Sequence, residues 1–205
     1  GAWKWVYQSM AVALGLFALW SAGPGIPEDN FHLGFFTLIT WILSFLLYPG
    51  RKGSPWIPPS EADLALAAGF TVLIAHAILR ADSVSENGAG LTDWIGWLAA
   101  AAIAVFSLRR SQVINFALMG LSIVCLGYFV QSYLELQDRT GAWTPTDFWM
   151  ALLAISLSLE AARRGLSIWI PAIAVFALLY AHFGAIFPGQ ISHRGSTIHQ
   201  IVNYT

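Results

Sequence analysis

The chain has 205 residues, of which 57 % are hydrophobic and only 10 % charged, with a formal net charge of −1 and a mean hydropathy of +0.64. A soluble domain carries charge on about a quarter of its residues, so an ordinary soluble core is excluded and an all-α polytopic membrane protein is indicated. The neutral balance argues against a nucleic-acid partner, which would require a basic surface, and the single cysteine, Cys125, excludes a disulfide within the chain.

Seven apolar segments follow in order: Trp5 to Ser21, Phe31 to Tyr48, Leu64 to Leu79, Leu91 to Leu108, Val113 to Leu134, Thr144 to Ala162 and Leu166 to Phe187. Each approaches the roughly 17 to 25 residues that a spanning helix needs, the third and fourth at the short end. The first segment also has features of a secretory signal peptide, with Lys4 before the apolar run and Ser21-Ala22-Gly23 after it. Its bracketing tryptophans favour a retained helix. Placing the amino end in the cytoplasm puts Lys4, Arg51, Lys52, Arg109, Arg110, Arg163 and Arg164 inside, against Arg80, Arg139 and Arg194 outside. Cytoplasmic loops hold an excess of Lys and Arg, so seven spans with a periplasmic carboxyl end are expected. Most acids fall on the outer side.

The middle of the chain contains a duplication. Leu91-Thr92-Asp93-Trp94 followed by Arg109-Arg110 recurs as Pro145-Thr146-Asp147-Phe148 followed by Arg163-Arg164, at a constant offset of 54 residues, as from Asp93 to Asp147. Leu98 and Ala100 recur as Leu152 and Ala154. The unit is a helical hairpin, over about 60–110 and again over 113–164. Thr92 or Asp93, and Thr146 or Asp147, are expected to cap the helix starts, while the arginine pairs meet carbonyl-rich helix ends and anionic headgroups. Asp93, Arg109, Arg110, Asp147, Arg163 and Arg164 are thus read as interface anchors.

Trp3, Trp5, Trp20, Trp56, Trp94, Trp143 and Trp149 fall near segment boundaries, where amphipathic rings settle. Glu160 precedes Arg163 and Arg164 at i+3 and i+4, which places all three on one helix face and predicts local pairing rather than a proton relay. His76 and His182 both lie near the outer side, the one arrangement in which a haem or metal ligand pair is conceivable, yet neither sits in a ligand motif. His32 opens the second segment. Interfacial hydrogen bonding is the simpler role for all three. No nucleophile, phosphate-loop or clustered metal-ligand pattern occurs, so an enzyme is disfavoured and no catalytic, cofactor or metal residue is assigned. After Pro188-Gly189, which should end the last helix, Ser196 is expected to cap a short segment along the outer surface.

Several of these features together resemble one family: Arg163-Arg164, Pro171, Tyr180-Ala181-His182-Phe183-Gly184, Pro188-Gly189 and His193-Arg194-Gly195. They are similar to the fused membrane component of TRAP transporters, in the branch served by TAXI-type binding proteins, with a looser likeness from Phe31 to Pro49. The hairpin around Leu64 to Arg110 departs from the usual four-helix Q-type part. The resemblance implies a Q-type scaffold over 1–164, then a connecting helix and periplasmic segment over 165–205 leading towards the M-type transport core. It implies location in the bacterial inner membrane, a partner core, a docked periplasmic binding protein and sodium-coupled uptake of organic acids. Sodium and substrate ligands belong to discontinuous helices of the core, so none is expected here. His193 and Arg194 are the candidate contacts with the core or binding protein. The alternatives are an accessory subunit of an unrelated membrane complex, or an intramembrane haem protein using His76 and His182.

Overall fold

The computed structural model describes residues 2–22, 29–48, 58–107, 110–139, 141–188 and 192–204; every regular element among them is helical. The long helices are α1 (Ala2–Ala22), α2 (Asp29–Leu47), α3 (Glu61–Leu79), α5 (Leu91–Ser107), α6 (Ser111–Gln131), α8 (Pro145–Gly165) and α9 (Trp169–Phe183). Shorter pieces are α4 (Ala81–Asn87), α7 (Tyr133–Asp138), a 3₁₀ turn (Gly184–Ile186) and α10 (Ile198–Tyr204). Each apolar segment thus contains one long helix. Three helical stretches, Glu61–Leu79, Ser111–Gln131 and Trp169–Ile186, are long and apolar enough to cross a membrane, and Leu33–Leu47 and Leu91–Ser107 are shorter apolar helices.

Three boundaries differ from the sequence expectation. The fifth apolar run breaks at Ser132, whose amide bonds to Tyr128 O, and the chain turns into α7, which carries Glu135 and Asp138. Residues 81–87, read from sequence as loop, form α4. The last long helix stops at Phe183, ahead of Pro188, because Gly184 begins a 3₁₀ turn.

Side-chain contacts show that the long helices run alternately between two ends of the bundle. Phe17 of α1 meets Phe35 of α2 with ring centroids 4.6 Å apart. At the opposite end, Arg164 near the close of α8 reaches Tyr48 O after α2 and Asn115 near the start of α6. Arg110, just before α6, meets Asp63 in the first turn of α3. The far ends of α3 and α6 meet the start of α8: Thr146 bonds to Ile78 O and Asp82, and Asp147 to Tyr128. Arg110, Arg163 and Arg164 define a basic end; Asp82, Asp93 and Asp147 define an acidic one.

The core lies where α2, α6 and α8 converge, with Trp41, Phe45, Leu121, Cys125, Leu126 and Leu157 packed together. Cys125 is buried and free, and burial in apolar surroundings keeps such a thiol inert. Large apolar side chains such as Trp5, Leu19, Leu98 and Ile173 lie on the outside, an inversion of the soluble arrangement that suits lipid. Small residues instead bring helices together. Gly120 of α6 lies against Thr71 of α3, whose hydroxyl donates to Ala67 O at 2.9 Å and to Ala117 O at 3.4 Å. A Cβ on Gly120 would stand 2.5 Å from Thr71 Oγ1. Gly120→Ala should therefore push α3 from α6 and cost about 2 kcal/mol, measured by thermal unfolding in detergent. Adding Thr71→Ala should recover part of the loss; a single variant as stable as the parent would disprove this close approach.

Candidate functional site

The polar chemistry gathers at the two ends. In the first turn of α8, Thr144 Oγ1 accepts from the Asp147 amide at 3.2 Å while Asp147 Oδ2 accepts from the Thr144 amide at 2.8 Å. The cap is thus Thr144, with Asp147 three residues on, rather than Thr146 or Asp147. The physical reason is the reach of a carboxylate at that position back to the last open amide. Asp93 does the same for α5, accepting from the Gly90 amide at 2.9 Å. The helix start is therefore fixed from behind by Asp93, not capped by Thr92 or Asp93. Each of these aspartates also meets an arginine: Asp93 with Arg80 and Asp147 with Arg139, both N–O distances 3.4 Å. Asp147 gains a third donor, the Tyr128 hydroxyl. Both carboxylates are 2 % exposed and fully engaged.

The two segments related by the 54-residue offset make parallel contacts. Each copy runs helix, short surface helix, positive-φ glycine (Gly88 at 78°, Gly141 at 91°), aspartate-fixed start, second helix and arginine. That closing arginine then ties back to the start of the first helix of its own hairpin, Arg110 to Asp63 and Arg164 to Asn115. Asp63 belongs to a further capping box, with Ser60. Sequence spacing does not predict these back-ties, because Asp63 and Asn115 lie in neither repeated motif; the Ser60-x-x-Asp63 pattern signals the cap alone.

At the basic end, Glu160 accepts from Arg163 Nε and Nη2 and from Arg164 Nε, each at 2.7 Å. The local pairing expected from the i+3 and i+4 spacing is present. Arg164 is 2 % exposed and Arg163 38 %, so one guanidinium is structural and the other faces outwards. Arg109 lies outside the described residues, as do Trp56 and the side chains of Trp3 and His32. Trp5, Trp20, Trp94 and Trp149 are exposed.

The carboxyl-terminal segment folds back onto α9. The Ser196 amide donates to Ala181 O at 2.8 Å, the His193 amide to Gly184 O at 3.2 Å, and His182 Nδ1 lies 2.9 Å from Ser196 O. These contacts satisfy carbonyls left open at a helix end. The His193 ring stands edge-on to Tyr180, centroids 4.7 Å apart, in space that any side chain on Gly184 would occupy. A Cβ on Gly195 would strike the backbone carbonyl of His182. Tyr180, Gly184, His193 and Gly195 are therefore parts of one packed turn. Arg194 is exposed on it. Thr197, not Ser196, starts α10, exchanging bonds with Gln200, because the Ser196 amide and carbonyl are taken by α9. His199 packs on Phe148, which seats α10 against the start of α8.

His182 is thus held by the turn, whereas His76 is exposed near the end of α3. No group of three His, Cys, Asp or Glu among the described residues is arranged to hold a metal. No family model, curated protein or solved structure matches the chain.

Proposed function

We propose that the chain is the membrane scaffold of a sodium-coupled, binding-protein-dependent transporter of organic acids, of the TRAP type with a TAXI-type binding protein. It crosses a bacterial inner membrane seven times, with its amino end cytoplasmic and its carboxyl end periplasmic. One observation carries this reading: four residues from two of the motifs in the resemblance, Tyr180 and Gly184 of the first and His193 and Gly195 of the last, meet in one turn. A shared turn gives those residue types a common physical reason. The charge distribution agrees, because the ion pairs among the described residues lie at the two ends, and coupled transport needs polar ligands near the midplane. Those ligands are assigned to the partner core. The acidic end, with the turn, faces the binding protein; the basic end faces the cytoplasm.

Two measurements test this. Cysteines at Ser192 and Glu86, both exposed at the acidic end, should react with an impermeant reagent from the periplasm and one at Leu166 only from the cytoplasm, with buried Cys125 silent. The reverse pattern would invert the topology. Vesicles containing the chain, an M-type core and the binding protein should take up an organic acid only with a sodium gradient, and His76→Ala should leave that uptake unchanged. A haem absorption band in the purified chain, or stable capture of an unrelated multi-span complex, would replace the proposal with one of the alternatives.

A further inference from the structure

A groove of about 530 Å³ opens between α8 and α9 at the surface of the bundle. Small side chains, Ser156 on one helix and Ala172 beside Pro171 on the other, line it among the larger Leu159, Phe176 and Leu179. Apart from Ser156 its polar lining is confined to Glu160 and Arg163, at the basic end. Along α9 it runs from Ile168 to Leu179, a rise of about 16 Å. Half of a bilayer's hydrocarbon core is about 15 Å. The groove is therefore about one leaflet long, apolar along its length and charged at one mouth.

The charge at that mouth selects the occupant. Glu160 is shared between two arginines, so the cluster carries one net positive charge, and Arg163 is its outward-facing member. A single phosphodiester would neutralise it, while a zwitterionic headgroup would bring its own cation. Basic pockets between helices on the cytoplasmic side bind anionic headgroups in this way. We propose that the groove holds one acyl chain of an anionic phospholipid of that leaflet, its phosphate on Arg163, the outward-facing arginine of the cluster. This site rests on the membrane-spanning part of the reading above and not on the transport assignment. A lipid held there would fix the spacing of α8 and α9, the two helices that carry the carboxyl-terminal turn.

The test is native mass spectrometry of the full chain in detergent, titrated with phosphatidylglycerol or phosphatidylcholine of the same acyl chains. The parent should bind phosphatidylglycerol about five-fold more tightly, the factor expected of one surface arginine. Arg163→Gln should abolish that preference while retaining bound lipid, and it should fold, because Glu160 keeps Arg164. Ala172→Phe, which fills the groove, should lower binding of both lipids. Equal binding of the two lipids by the parent, or Ala172→Phe binding as the parent does, would overturn the site. Displacement of phosphatidylglycerol by inorganic phosphate would show a bare anion site and also overturn it. Loss of a co-purifying membrane protein from Ala172→Phe, with lipid counts unchanged, would make the occupant a protein helix. A chain that stays in solution without detergent would sink the membrane reading itself; one that needs detergent but shows no lipid preference sinks only this site.

Discussion

Gly195→Ala should open the carboxyl-terminal turn and remove most uptake from the reconstituted system while leaving the helical bundle folded. The added methyl would meet the His182 carbonyl, a backbone group that cannot swing aside. Relief requires moving the whole segment and so breaking the Ser196–Ala181 and His182–Ser196 bonds. Overpacking of this kind costs about 2 kcal/mol, enough to release a segment held by a few contacts. Gly184→Ala should do less, because its methyl meets the His193 ring, which can rotate out. The pair separates the two mechanisms. His193→Ala should rescue Gly184→Ala and fail to rescue Gly195→Ala, a coupling that a double-mutant cycle reads directly. The readouts are modification of a cysteine at Ser192 and initial uptake rate. If both glycine variants keep the turn closed, the packing described here is wrong; if both open it and uptake persists, the turn has no part in transport.

Asp147→Ala should be the most damaging of the charge-removing changes, lowering stability by about 3 kcal/mol, or roughly 10 °C in Tm for a chain of this size. It removes the reciprocal cap with Thr144 and takes the Asp147 carboxylate from the half-buried Tyr128 hydroxyl and from Arg139, which keeps Glu135. Asp93→Ala should cost about half as much, because Gly90 offers no side-chain cap and Arg80 is nearly half exposed. Asp147→Asn should fall between them, retaining an acceptor for the Thr144 amide while losing the charge. Thermal unfolding in one detergent would rank the three. Equal losses at Asp93 and Asp147 would mean that the Tyr128 bond and the Thr144 cap add nothing.

How far the sequence carried the fold can be judged from particular elements. Each apolar run contains a helix because spanning length and lipid-facing composition leave few alternatives, and the 54-residue offset marks the paired aspartates because capping chemistry is local. The pairing of Glu160 with both arginines was legible for the same reason. What escaped was non-local. Nothing in the spacing said that Arg110 would find Asp63 or Arg164 Asn115, since helix neighbours decide that. The caps were misplaced by a few residues because Thr-Asp pairs mark a helix start without saying which residue precedes it. The sequence predicts only a surface segment at the carboxyl-terminal turn, whose packing depends on two glycines with neighbours 9 or more residues away in the chain.

The two back-tying arginines have parted company electrostatically. Where the second copy has Glu160, the first, 54 residues earlier, has Phe106, and Arg110 lies over that ring at 5.1 Å. Arg110 therefore waits for Asp63 on another helix before its charge is met, and remains 43 % exposed. Arg164 carries its counter-ion one turn away on the same helix, so its neutralisation needs only α8 to coil. Sharing Glu160 with Arg163 within one helix lets that guanidinium be buried, at 2 % exposure, beside a carboxylate that no other helix has to supply. The two hairpins therefore differ in what their closing arginine requires: in the second the carboxylate comes from the same helix, and in the first it comes from α3, across the contact with the residue that follows the end of α5.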